Sequence, residues 1–144
     1  MIESYRVGRS KSVVGYRFEM RYDGVTYQAV SDARMGSVVA AQRELVRLVC
    51  ADHGQDVGET TERGTSDLIF FHDLSIERSL TQPGWAVEVT SGRYRLRAYL
   101  DPTLESFLAV WGAVMRFFAM KYGVVEIFEE VTRNRDRARE QGLA

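Results

Sequence analysis

Apolar and polar positions begin to alternate strictly at Tyr16. Tyr16, Phe18, Met20 and Tyr22 fall on one side, and Arg17, Glu19 and Arg21 on the other. Asp23-Gly24 interrupts the run, and Val25, Tyr27 and Ala29 resume it against Thr26 and Gln28. An Asp-Gly pair between two alternating runs predicts a β-hairpin, because both central residues of a type I′ turn need positive φ and glycine takes it without strain. A two-residue loop sets Tyr22 opposite Val25, Met20 opposite Tyr27 and Phe18 opposite Ala29, all on one face.

The period then changes. Met35, Val38, Ala41, Leu45, Leu48 and Val49 recur at helical spacing, with Arg43, Glu44 and Arg47 on the other side. Ser31 or Asp32 caps this helix in the expected arrangement, and Gly54 ends it. Residues 55–66 carry Gly58 and Gly64 and almost no apolar side chain, so they read as a loop.

Leu68 to Leu80 reads as a bulged strand, followed by a turn at Gln82-Pro83-Gly84. Trp85, Val87 and Val89 alternate, Ser91-Gly92 is the expected tight turn, and Tyr94, Leu96 and Ala98 alternate after it. That turn pairs Val89 with Tyr94, Val87 with Leu96 and Glu88 with Arg95. Asp101-Pro102 marks the start of a last helix, in which apolar residues cover more than half of the circumference between Phe107 and Phe128.

The element order is thus strand-strand-helix-strand-strand-strand-helix (ββαβββα). The expected fold is α+β, a two-layer sandwich with one antiparallel sheet of about five strands and both helices on one face. All 144 residues read as one domain, with an N-terminal arm over 1–12 and a charged tail over 132–144.

Composition removes several function classes. With 19 basic and 20 acidic side chains, the chain lacks the excess of charge that marks a general polyanion binder. A lone Cys50 excludes an internal disulfide framework, and the most apolar stretch is broken by Arg116, Lys121 and Glu126, which excludes a membrane span. A cytoplasmic location is expected from the reduced cysteine and a polar N-terminus. Cys50 with His53, and His72 with Asp73, fall short of the four ligands that a structural zinc site needs. No nucleophile elbow or phosphate loop appears, so no metal, cofactor or catalytic residue is assigned.

Two surfaces remain. On the last helix, one apolar stripe runs through Leu104, Leu108, Trp111, Met115 and Phe118, and a second, through Phe107, Val110, Val114, Phe117 and Phe128, exceeds what one sheet face absorbs; the second stripe together with Trp111 is the candidate contact surface. This predicts a partner interface, with self-association into a homodimer. On the outer sheet face, Arg17, Arg21, Arg93, Arg95 and Arg97 form a row suited to phosphate oxygens. The stretch from Tyr16 to Cys50, with Phe18-Glu19-Met20-Arg21-Tyr22-Asp23-Gly24-Val25-Thr26-Tyr27 leading into Val38-Val39-Ala40-Ala41, loosely resembles the hairpin-then-helix half of double-stranded RNA-binding domains. That resemblance implies RNA contact. It covers a quarter of the chain, and Asp32-Ala33-Arg34-Met35-Gly36 stands where those domains carry a lysine cluster. The expected function is a small protein-binding module of accessory, regulatory or inhibitor type, acting on itself and on a further protein. A nucleic-acid-binding module is the alternative, and a small-molecule enzyme with a pocket between sheet and helices is the third reading.

Overall fold

The computed structural model describes residues 1–9, 15–55 and 68–123. Strands β1 (Ile2–Arg9), β2 (Gly15–Tyr22) and β3 (Val25–Asp32) form an antiparallel meander, and helix α1 (Met35–Asp52) follows. Strands β4 (Asp73–Arg78), β5 (Trp85–Ser91) and β6 (Tyr94–Leu100) form a second antiparallel meander, and helix α2 (Leu104–Lys121) closes the series. The chain therefore runs βββα twice. The α+β class is as expected, but the single sheet of five strands is not: two three-stranded sheets replace it. Their edge strands β1 and β4 approach each other, yet no ladder joins them.

The additional strand is β1, in the stretch expected to be an arm. A bulge between Ile2 and Ser4 explains the miss. It inserts one residue into the period of two, so Ile2 and Tyr5, three apart, are both buried and the alternation disappears from the sequence. Tyr5 then reaches the centre of the molecule. Its ring stands edge-on to Phe107 with centroids 4.9 Å apart, and edge-on to Trp85 at 6.5 Å. Its hydroxyl donates to the Oε1 of Gln42, a fully buried amide on α1 whose Nε2 donates to the Val38 carbonyl at 3.0 Å. Burial pushes the Tyr5 phenol well above its ordinary pKa, so it remains a neutral donor.

The first hairpin has the expected register, with Tyr22 opposite Val25, Met20 opposite Tyr27 and Phe18 opposite Ala29. Asp23 and Gly24 take φ of 51° and 80°, the two positive values of a type I′ turn. The second hairpin is shifted by two residues. Its loop is Gly92-Arg93, not Ser91-Gly92, so Val89 faces Leu96, Val87 faces Ala98 and Glu88 faces Arg97. Gly92 takes φ 56° as the first loop residue. A shift of two leaves every side chain on its face, which is why the hydrophobic pattern cannot detect it.

Strand β4 is shorter than the expected Leu68–Leu80 run. Phe70 forms only an isolated bridge to Arg34, and Met35 N–H donates to Ile69 O while Phe71 N–H donates to Ala33 O. This segment therefore ties the start of α1 to the second sheet. Helix α1 begins after Arg34 without a side-chain cap. Asp32 instead accepts from the Arg34 backbone N–H at 2.8 Å and holds its guanidinium. Helix α2 is capped by Thr103, which accepts from Ser106 N–H at 3.2 Å, rather than by Asp101. It ends at Lys121, with Tyr122 as C-cap and Gly123 at φ 75°, so it does not run unbroken to Phe128 as expected; residues 124–128 lie outside the described residues. Residues 10–12 of the expected arm and the 132–144 tail also lie outside them.

Both helices pack on the buried faces of the sheets. Phe18 on β2 meets Trp111 on α2 with centroids 6.3 Å apart, and Phe71 meets Phe118 at 5.2 Å. Tyr27 donates to Asp52 Oδ2 at 2.6 Å and fastens β3 to the end of α1; this bond pushes the phenol pKa up to about 12. The buried side chains of both sheets and both helices form one continuous cluster.

Candidate functional site

The two predicted surfaces fare differently. Of the six candidate contact residues on α2, Phe107, Trp111 and Val114 are at most 1 % exposed and are covered within the chain. Phe107 packs on Tyr5 of β1, the strand whose presence the sequence conceals, and Trp111 packs on Phe18. Val110 and Phe117 are half-buried, and Phe128 lies outside the described residues. Part of the apolar excess on this helix is thus covered within the chain, Phe107 by β1 and Trp111 by β2, with α1 and β6 also packed against the helix.

What α2 does expose is a shifted stripe that keeps Val110 and Phe117 of the predicted set. Ala109 and Met120 are exposed and Val110, Ala113 and Phe117 half-exposed, with Met120 at 69 %. Within Leu104–Lys121 the charged residues are Glu105 at the start, Lys121 at the end and Arg116 between them. The Arg116 guanidinium folds back along the helix, 3.6 Å from the place a Gly112 Cβ would occupy. Met120 lies one turn after Arg116 on this side of the helix. Leu68, Phe70 and Tyr122 are also exposed, and Ser91 Oγ links two of them, 2.7 Å from Phe70 O and 3.0 Å from Tyr122 Oη.

The five arginines are exposed but do not form one row: Arg17 and Arg21 stand on the first sheet, Arg95 and Arg97 on the second, and Arg93 lies in the loop before β6, because no ladder joins the two sheets. Their charge is largely spoken for. Arg6 pairs with Glu19, Arg21 lies 3.7 Å from Glu3, and Arg17 donates to Gln28 Oε1 at 2.6 Å. Arg95 and Arg97 share Glu88, at 2.7 and 3.5 Å. Arg93 donates to the Tyr94 hydroxyl at 3.0 Å and lies over its ring, with Lys121 also 5.9 Å from that ring. Cross-strand pairs of opposite charge stabilise a solvated sheet face, and an anion would have to displace the carboxylates already there.

Groups considered for metal or catalytic chemistry are engaged separately. Cys50 is buried on α1. His53 Nδ1 lies 2.8 Å from Val49 O and Nε2 3.4 Å from Asp23 Oδ2, and the Val49 carbonyl first, then Asp23, raises its pKa. His72 Nδ1 accepts from Gly92 N–H at 3.0 Å. Among the described residues no group of three or more His, Cys, Asp or Glu is placed to hold a metal ion. A groove of about 680 Å³ lies beside the β4–β5 turn, lined by Glu77, Arg78, Leu80, Arg97 and Tyr99 among others. It opens on the outer sheet face, not between sheet and helices. No helix of the described residues is long and apolar enough to cross a membrane. No protein-family model, curated protein or solved structure matches this chain.

Proposed function

We propose that this chain is a protein-interaction module whose contact surface is the outward side of α2. The observation that carries this is the stripe Ala109, Val110, Ala113, Phe117 and Met120 on an eighteen-residue helix. A solvent-facing helix side ordinarily carries charge. Here Arg116 is the one charge between Glu105 and Lys121, and beside it small residues allow a close backbone approach, flanked by Phe117 and Met120, types enriched where proteins meet. The pairing of Arg17, Arg21, Arg95 and Arg97 with groups of their own sheets weighs against the nucleic-acid alternative.

A photo-crosslinking amino acid placed at Ala113 tests this in cells of the native host. A discrete protein adduct is expected, lost on Met120→Glu and absent when the crosslinker stands at Ser75 on the outer face of the second sheet. An adduct of twice the 16.4 kDa chain mass would identify the partner as a second copy. The same adducts from Ala113 and Ser75 would overturn the assignment.

A further inference from the structure

Strand β3 is the outer strand of the first sheet. β2 lies on one side, and among the described residues no strand lies on the other. A two-residue hairpin loop closes on a hydrogen-bonded pair, here Tyr22 and Val25, and bonded and non-bonded pairs alternate from there. The backbone groups of Val25, Tyr27, Ala29 and Ser31 are therefore used on β2, and those of Thr26, Gln28 and Val30 point to the open edge. The next position in that row is already closed, because Asp32 N–H donates to Ser37 Oγ at 3.1 Å. The Gln28 side chain is drawn back over β2. It accepts from Arg17 at 2.6 Å and donates to Glu19 at 3.2 Å, so the edge beside it is clear.

Natural edge strands are protected by charge, proline, a bulge or shortness. β3 has none of these between 25 and 31. It reads Val-Thr-Tyr-Gln-Ala-Val-Ser, and its register with β2 is unbroken over eight residues. β6, the outer strand of the other sheet, carries Arg95 and Arg97 on its solvent side. On β3 the solvent side instead presents Val30, which is 61 % exposed.

We propose that β3 pairs antiparallel with β3 of a second copy of this chain, about a two-fold axis at Gln28, to make one six-stranded sheet across a dimer. The strand is self-complementary in that register. Gln28 faces its own counterpart, and Thr26 of each copy faces Val30 of the other, a β-branched pair on the solvent side. The three residues whose backbone groups point outward all find partners, which a two-fold, isologous contact requires. No charge is opposed to a like charge anywhere within 25–31, so nothing repels the second copy as the arginines of β6 would. This surface is separate from the outward side of α2, and its failure would leave the α2 proposal intact.

Sedimentation equilibrium at about 100 μM, where a micromolar dimer is almost fully formed, tests it directly. The expected mass is twice 16.4 kDa. Val30→Pro removes an edge donor without touching the bonds to β2 and is expected to return a monomer with unchanged circular dichroism. If that variant fails to fold, Gln28→Lys places like charges face to face on the axis and is expected to raise the dissociation constant at least tenfold. Met120→Glu is expected to leave the dimer unchanged. A monomeric wild type would overturn the proposal, including the case in which the edge takes an extended peptide from another protein. A dimer that survives both β3 substitutions would overturn it as well.

Discussion

Tyr5 offers the most direct test of how this molecule is held together, because it sits in a segment that the sequence presents as an arm and the fold makes central. It is 3 % exposed, edge-on to Phe107 and Trp85, and bonded to Gln42. Tyr5→Ala deletes a buried aromatic ring at the junction of both sheets with α2. Such truncations cost about 3–5 kcal/mol, the transfer of the ring plus the cavity that the neighbours cannot fill. With a urea dependence of about 2 kcal/mol per molar, the unfolding midpoint should fall by roughly 1.5–2.5 M. Tyr5→Phe separates the two contributions. The ring and its contacts stay, but Gln42 Oε1 is left buried without its donor, while Gln42 Nε2 keeps the Val38 carbonyl. An orphaned buried acceptor costs about 1–3 kcal/mol. Adding Gln42→Leu to Tyr5→Phe should return part of that loss, because the unsatisfied oxygen goes with the amide. Urea melts followed by fluorescence and circular dichroism measure all three variants. A Tyr5→Ala loss below about 0.5 kcal/mol, the range of surface substitutions, would refute the reasoning and return residues 2–9 to the status of an arm.

Two further outcomes follow from local geometry. Gly24 takes φ 80° in the I′ turn with open space around it, so Gly24→Val should destabilise through backbone strain alone, by about 1–3 kcal/mol; an unchanged melting temperature would exclude the turn. His53 is held by the Val49 carbonyl and by Asp23 in that same turn, and both raise its pKa. Its contribution to stability is therefore fully present below the unfolded histidine value of about 6.5 and fades as pH rises through the raised folded value. The stability difference between wild type and His53→Gln should shrink between pH about 5.5 and 8.5, and parallel urea-midpoint profiles over that window would refute the linkage.

The first hairpin, the stripe of α1 and the strand-turn-strand of β5 and β6 are legible in the sequence because each is decided by neighbours. A period of two or of 3.6, with glycine where φ must be positive, needs no distant information. Three features needed the tertiary structure. The bulge at Ile2/Ser4 breaks the period of β1, and only pairing with β2 identifies it as a strand. The register of the second hairpin moves by two without changing any side chain's face, so it is decided by the Gly92-Arg93 loop in place. Helix α2 shows a broad apolar surface in sequence, but which part of it is surface depends on what covers it. Phe107 and Trp111 are turned inward by Tyr5 and Phe18, leaving Met120 outside. Val30 is apolar at a position whose parity, set by Val25, Tyr27 and Ala29, points to solvent, and this is legible in the sequence. Periodicity states which residues share a face, whereas burial is a property of whatever packs against that face, and that partner comes from elsewhere in the chain.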